Sequence, residues 1–408
     1  MDFEESPEEQ AFRAEAYAWL DANAKRRAAG SDPEHFFFSG DGSKEAETVH
    51  VNANKAWQKT LFDAGWAGIA WPKEWGGRGG PPWQQRIFNE EQSKFDVAAG
   101  VFMVGVGMAG PTIIQWGTPE QHERFLPPML RGDDIWCQLF SEPGAGSDLA
   151  GLRTRAERDG DEWVVTGQKV WTSGAQYSDR GILLTRSNPD APKHRGITAF
   201  LVDMHSPGIE VRPLRQITGQ AHFNEVFLTD VRISDTDRLG PIDEGWRVAQ
   251  TMLSNERALI GGGGTRLGFR DIAAIAERTG IAADPVVRQD LARCYTRLQV
   301  LKWLGWRARS RKDGGLGPEA SVLKLAASLR QEADGSLVVR LQGADGMLSM
   351  KDAPNNGYWQ QLFLSQWSSR IGGGTENIQR NVIGERVLGL PSDVRVDKDV
   401  PFRELPKS

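Results

Sequence analysis

The sequence predicts an α+β, multidomain fold: an N-terminal helical domain over residues 1–134, a middle antiparallel β-sheet or barrel domain over 135–243, and a C-terminal helical bundle over 244–408. Three observations predict it. Apolar residues recur at spacings of three and four up to about residue 135, short strand-like runs follow with Gly, Asp and Pro between them, and helical patterning resumes after Asp243. Strands that succeed one another without intervening helices argue for antiparallel pairing, not for the parallel sheet of a nucleotide-binding fold.

The first helix opens on Ser6 as N-cap, with Pro7 at its first position and Glu9 three residues after the cap, the signature of a capping box. Phe12, Ala16, Trp19 and Leu20 then form its apolar face. Residues 30–47 carry Gly, Pro, Ser and charge and read as a loop, and further helices are expected over 49–65, 84–94, 97–108 and 119–130. In the middle part, strands are expected over 163–166, 169–173, 182–185, 197–202, 209–212 and 223–233, with Gly167-Gln168 as the link of a hairpin. The C-terminal helices are interrupted at 280–284, at 313–318 and near Ala344, and no internal repeat is found.

A chain of 408 residues is long enough for two to three domains, and 39% apolar with 25% charged residues is the balance of a globular protein. With 49 basic against 54 acidic residues the net charge is −5, so no general electrostatic footprint for nucleic acid or acidic lipid exists. Cys137 and Cys294 lie far apart with no C-x-x-C pairing, which argues against disulfides and zinc and fits a reducing cytoplasm. The acidic N-terminus is unlike a targeting peptide, and no run of 18 apolar residues occurs, so neither export nor membrane spanning is expected.

Several short motifs mislead. Gly105, Gly107 and Gly110 match G-x-G-x-x-G, yet the match lies in a helical region before any strand and is followed by Pro111, so close helix packing is the better account. Ser321 and Lys324 match S-x-x-K without the companion motifs of penicillin-binding enzymes, and read as two exposed polar residues one turn apart. The six histidines include no H-x-x-x-H pair, so no metal site is expected.

Two segments carry chemistry. Residues 136–148, WCQLFSEPGAGSD, place hydroxyls and free backbone N–H groups on a Gly-rich loop, suited to a phosphate-bearing or heteroaromatic ligand. Residues 169–173, KVWTS, offer an indole and two hydroxyls on one strand. In these segments the chain resembles the acyl-CoA dehydrogenase family. The family's S/T-E-P-x-A-G-S-D pattern stands at 141–148, its K-x-W-x-S/T at 169–173 and its G-T-x-x-I-Q-R at 374–380, and the resemblance covers nearly the whole chain.

The resemblance implies an acyl-CoA dehydrogenase-like fold, FAD as cofactor and α,β-desaturation of an acyl-CoA in fatty-acid β-oxidation. It implies electron-transferring flavoprotein as acceptor and assembly as a homo-oligomer (dimer or tetramer) or a heterotetramer. It assigns Gln138, Phe140 and Ser141, with Trp171, Thr172 and Ser173, to the flavin ring. Thr375 and Asn377 match positions near FAD, and Arg278, Gln289 and Arg340 match positions that reach FAD, Arg278 from a neighbouring subunit. The usual Phe-Gly after that arginine is missing, and the family's Q-x-x-G-G-x-G run is only partly kept, so Arg340 or Gln342 takes the place of its glutamine. Ser147 matches a contact to the pantetheine of acyl-CoA.

Desaturation needs a carboxylate to take the α-proton while the β-hydrogen leaves as hydride. Many members place it immediately before G-T, where this chain has Gly373, whose backbone N–H still suits the thioester carbonyl. Members acting on long or branched chains place it directly before an arginine on the first long C-terminal helix, and Glu256-Arg257 matches. Independently, Ala249, Met252, Leu253, Glu256 and Ile260 share one helical stripe, so the carboxylate lies among apolar residues that raise its basicity. A structural ion pair is the alternative reading of Glu256, and Glu376 is a second candidate base. Arg257 reads equally as a CoA ligand or a brace for the helix, and 261–264 are four helical glycines that fit close approach of a helix or acyl chain. Two further functions remain open: a non-catalytic subunit of a heteromeric enzyme, which the missing carboxylate at Gly373 favours, and an oxidase.

Overall fold

The computed structural model describes residues 5–27, 43–262, 268–309, 317–394 and 397–406. In chain order the helices are α1 (Pro7–Asn23), α2 (Lys44–Asp63), α3 (Pro82–Gln92), α4 (Gly110–Trp116) and α5 (Pro119–Arg131), with a two-stranded β1 (Lys25–Arg26) and β2 (Phe95–Asp96) among them. The strands β3 (Trp136–Leu139), β4 (Arg155–Asp159), β5 (Glu162–Ser173), β6 (Arg180–Arg186), β7 (Ile197–Asp203), β8 (Ile209–Leu214), β9 (Phe223–Ser234) and β10 (Arg238–Leu239) follow. The chain then returns to helix as α6 (Gly245–Gly262), α7 (Phe269–Arg278), α8 (Pro285–Arg309), α9 (Glu319–Leu341), α10 (Tyr358–Ile371) and α11 (Glu376–Val382). The expected order of helices, sheet and helices is therefore observed. Of the expected loop at 30–47, residues 30–42 lie outside the described residues, while Ser43 caps α2 by accepting from Ala46 N.

Contacts divide the chain into two compact units. One comprises Met1–Pro33, Ile87–Asp96 and Arg257–Asp393, the other Glu34–Arg86, Val97–Glu256 and Val394–Ser408. In the first, the capping box of α1 forms as expected: Ser6 Oγ accepts from Glu9 N at 3.2 Å and Glu9 Oε2 accepts from Ser6 N at 3.0 Å. The core of this unit joins Ile272, Ile275 and Ala276 of α7 to Cys294 of α8, Leu337, Val338 and Leu341 of α9 and Trp359 of α10. Helix α9 is enclosed on most of its circumference, so Ser321 and Lys324 are 3% and 2% exposed, not the solvated pair expected from S-x-x-K. The Lys324 ammonium donates to Ser369 O at 2.8 Å, the kind of partner a buried cation requires.

The second unit is built on an open sheet in the order β10-β7-β6-β4-β5-β9-β8, with β3 pairing β6. The pairs are antiparallel except β3 with β6 and a single parallel partner of β4 on β6, so the sheet is mixed and does not close into a barrel. Strands β6 and β7 are buried on both faces, whereas β9 alternates buried residues with half-buried or exposed ones, as a strand with one covered face must. Leu183, Phe200 and Val202 share one core with Trp163, Val165, Val226, Leu228 and Val231.

Another local expectation fails. Gly167-Gln168 is not a hairpin link but lies inside β5, which pairs continuously with β9 apart from two register shifts. The hairpin is formed by β4 and β5, where Asp159 faces Glu162 across Gly160, whose φ is +64°. Gly167 is required by a close approach: a Cβ there would stand 2.4 Å from Thr154 Oγ1 and 2.7 Å from Thr154 Cα. Gly105 and Gly110 of the G-x-G-x-x-G match serve packing, as expected. A Cβ on Gly110 would meet the Trp71 ring at 2.1 Å, and one on Gly105 would press on Met129 and Trp136.

Candidate active site

The two chemistry-bearing segments meet in the sheet unit. The end of β3 runs into Phe140 and Ser141, and β5 brings Trp171, Thr172 and Ser173 beside them: Val170 N donates to Ser141 O at 2.9 Å and Lys169 Nζ to Phe140 O at 3.1 Å. Lys169 also donates to Glu142 Oε1 at 2.8 Å, with both side chains buried. The Glu142 carboxylate accepts in addition from Arg153 N at 2.6 Å and Thr154 N at 2.9 Å. Burial alone would push the Glu142 carboxyl up, but the Lys169 ammonium and these donors hold it below the usual carboxylate range. Sequence reasoning gave Lys169 and Glu142 no role; charges inside otherwise strand-like or Gly-rich segments were the available signal.

Trp171 occupies the second register shift of β5, with φ +60° and 59% of its surface exposed. Left-handed backbone at a bulky residue costs about 1–3 kcal/mol and persists only where the surroundings enforce it. The bulge turns the indole out of the sheet, where Phe223 meets it edge-on at 5.9 Å. Thr172 is fully buried and its hydroxyl finds no partner among the described residues, while Asn224 Nδ2 donates to Thr172 O at 2.9 Å. Ser141, Ser173 and Gln138 are half-buried, and Phe140 is buried. His222 stacks on Phe223 at 4.5 Å, and burial pulls its imidazole down to about 4.

The turn after Ser141 is closed by paired bonds between Glu142 and Ala145, and Gly146, Ser147 and Asp148 are then exposed. Glu256 is half-buried on α6, one turn beyond fully buried Met252 and two beyond fully buried Ala249. Arg257 is half-buried as well; the side chain of Ile260 and the glycines 263 and 264 lie outside the described residues.

In the helical unit, Gly373 and Gly374 adopt φ of +65° and +89° and lead into α11, whose N-cap Thr375 accepts from Ile378 N at 3.3 Å. Thr375 and Asn377 line a cavity of about 400 Å³ with Trp367, Arg370, Ile371, Glu376 and Arg380. Arg370 donates to both Glu376 oxygens, at 2.7 and 2.8 Å, and holds that carboxyl below the usual range. Glu376 is thereby a clamped anion and a poor base. Arg278 and Gln289 are exposed, and Arg340 is exposed and ion-paired with Asp290. Gln342 is buried, accepting from Gln360 at 3.4 Å. Among the described residues no group of three or more His, Cys, Asp or Glu is placed to hold a metal ion. Cys137 and Cys294 are buried thiols, and no described helix is long and apolar enough to cross a membrane.

The chain thus combines helical N- and C-terminal parts with a mixed sheet in which a Gly-rich turn is stitched to an indole-bearing strand. The chain belongs to the acyl-CoA dehydrogenase family, matching its N-terminal domain over residues 6–133, its middle domain over 137–231 and its C-terminal domain over 243–388. It is 37% identical to acyl-CoA dehydrogenase IpdE1 of Mycobacterium tuberculosis over 94% of this chain and 98% of that one. It is 42% identical to acyl-CoA dehydrogenase FadE34 of the same organism over 82% of this chain and 46% of that one. A solved structure described as "Tcur3481-Tcur3483 steroid ACAD" superposes with a TM-score of 0.82 at 31% identity, covering 96% of this chain and all of the other. Members of the family are FAD-dependent.

Proposed function

We propose that the protein is an FAD-dependent acyl-CoA dehydrogenase that introduces an α,β double bond into a saturated acyl-CoA, with Glu256 as the base. The single observation that carries the reading is the constellation at the end of β5: an exposed indole held in strained backbone beside the half-buried hydroxyls of Ser173 and Ser141 and the orphaned hydroxyl of Thr172. An exposed flat ring beside hydroxyl donors fits a planar, hydrogen-bonding heteroaromatic group. Gln138, Phe140, Ser141, Trp171, Thr172 and Ser173 would hold the flavin ring, and Thr375, Asn377, Arg278, Gln289 and Arg340 the remainder of FAD. When bound, FAD supplies the acceptor for the hydride that leaves the β-carbon.

The chain's own residues supply the rest. Glu256 takes the α-proton: it follows the buried Ala249 and Met252 at helical spacing on α6, the position before Gly374 has no carboxylate, and Arg370 holds Glu376 as an anion of lowered basicity. Ser147 and Arg257 bind the CoA portion, and the Gly373 N–H, turned by its positive φ, polarises the thioester carbonyl. The similarity to a structure described as a steroid ACAD makes a bulky acyl group of that class the first substrate to try. The domains of this reading are 1–134, 135–243 and 244–408, its electron acceptor is an electron-transferring flavoprotein, and its setting is the cytoplasm. Replacing Glu256 by Gln tests it: turnover falls by about 10²–10⁴-fold while FAD content stays at the wild-type level. Unchanged turnover would remove Glu256 from the role.

A second reading has its own observation. Gly373 lacks the family's carboxylate, and two similar structures, the Tcur3481-Tcur3483 steroid ACAD above and the ChsE4-ChsE5 complex of Mycobacterium tuberculosis (TM-score 0.77, 29% identity, 96% of this chain and all of that one), are of paired proteins. The chain then acts in a heterotetramer whose other subunit supplies the base, and Glu256→Gln leaves the turnover of the assembled pair intact.

A further inference from the structure

Residues 397–406 fold back on the sheet unit, and their contacts converge on one loop. Phe402 is buried, with the Arg186 guanidinium 3.8 Å from its ring centroid. The backbone of the segment is tied down as well: Phe402 N donates to Ala191 O at 2.9 Å and Arg403 N to Pro189 O at 3.0 Å. Arg186 reaches on from Phe402 to donate to Ala150 O at 2.6 Å and Lys193 O at 2.9 Å. The Lys193 ammonium stands between two carboxylates, 2.8 Å from Asp397 Oδ2 and donating to Asp148 Oδ2 at 3.0 Å.

Asp148 and Ala150 form one end of the Gly-rich loop that carries Ser147, and Glu142, held by Lys169, forms the other. Between the two clamps Gly146 and Ser147 are exposed. The Asp148 side chain is 62% exposed, and an ion pair at such a site holds little unless its partner is fixed. Lys193 is fixed: its side chain is 10% exposed and its second carboxylate comes from the 397–406 segment.

We propose that residues 397–406 form a strap that positions the Ser147 loop for thioester binding, with Lys193 and Arg186 as the positioning residues that transmit the hold. The proposal rests on the reading of Ser147 as a contact to the CoA portion. Ordering a Gly-rich loop costs conformational entropy, and a loop already ordered by the strap binds its ligand without that cost. The strap therefore acts on affinity and not on the chemical step.

The test uses the full chain loaded with FAD and the variants Phe402→Ala, Asp397→Asn and Ser147→Ala. Amide exchange of residues 144–151 and the affinity for free coenzyme A, by calorimetry, are measured on each. In Phe402→Ala the loop amides exchange at least about tenfold faster, because the buried anchor of the segment is gone, and coenzyme A binds about tenfold more weakly. Asp397→Asn, which keeps Phe402 in place, shifts both readouts in the same direction by less, and strand β7 keeps its wild-type exchange in both variants. Unchanged exchange in the loop of Phe402→Ala overturns the strap. A loosened loop with unchanged coenzyme A affinity overturns its role in binding, provided Ser147→Ala weakens that affinity. If Ser147→Ala also leaves the affinity unchanged, the faster exchange upholds the strap and the reading of Ser147 falls instead.

Discussion

Lys169 Nζ and Glu142 Oε1 lie 2.8 Å apart, with the lysine side chain fully buried and that of the glutamate 9% exposed. The pair joins the strand that presents Trp171 to the turn that follows Ser141, so the two segments that define the site are one mechanical piece. Removing one partner leaves the other as a buried uncompensated charge. Lys169→Met is expected to lower unfolding stability by about 3–5 kcal/mol, read from urea denaturation. A loss below about 1 kcal/mol, the range of a surface pair, would show that the pair does not hold the segments together.

Trp171 separates a functional from a structural role by the sign of its stability effect. Glycine accepts φ +60° without strain, so Trp171→Gly gives back about 1–3 kcal/mol and loses about 0.5–1 kcal/mol through the freer unfolded chain. Stability therefore stays within about 1 kcal/mol of wild type or rises, while the affinity for FAD falls about tenfold with the loss of a stacking face. A large drop in stability with unchanged FAD affinity would make the indole a packing residue.

The imidazole of His222 is pulled from 6.5 down to about 4 by burial, so as pH falls the unfolded chain takes up its proton first. Stability is fully present above pH 6.5 and declines between 6.5 and about 4 as His222 resists protonation. His222→Gln removes this component, and its urea midpoint falls less between pH 7 and 5 than that of the wild type. Parallel profiles for the two proteins would place the acid sensitivity elsewhere.

Gly110 faces the Trp71 ring at a distance that admits no Cβ. Gly110→Ala is expected to cost about 1–3 kcal/mol by overpacking, and Trp71→Leu in the same chain recovers part of it. A neutral Gly110→Ala would contradict the packing account of this glycine run.

What the sequence disclosed and what it concealed follow a physical line. The α1 cap was legible because both of its partners, Ser6 and Glu9, are three residues apart, and the change from helix to sheet was legible because the apolar period changes. Gly167 was misread as a turn because a glycine forced by the approach of Thr154, thirteen residues away, carries the same letter as one forced by a turn. Ser321 and Lys324 were misread because α9 is enclosed by neighbouring helices and shows no solvated stripe. Of the site, the motif residues were legible through their resemblance to a family. The left-handed backbone of Trp171, the Lys169–Glu142 pair and the hold of Asp397 and Phe402 on Lys193 and Arg186 depend on tertiary pairings that no local pattern encodes.

The central claim is that this chain desaturates an acyl-CoA with its own base and its own flavin. The most direct test is the visible absorption spectrum of the chain expressed alone, titrated without oxygen against a panel of saturated acyl-CoAs that includes a steroid side-chain thioester. The account predicts flavin absorption that bleaches with one class of thioester, since bleaching requires transfer of a hydride from the substrate. A protein that takes up no FAD, or whose FAD no thioester bleaches, would contradict it and point to a subunit that relies on a partner for catalysis.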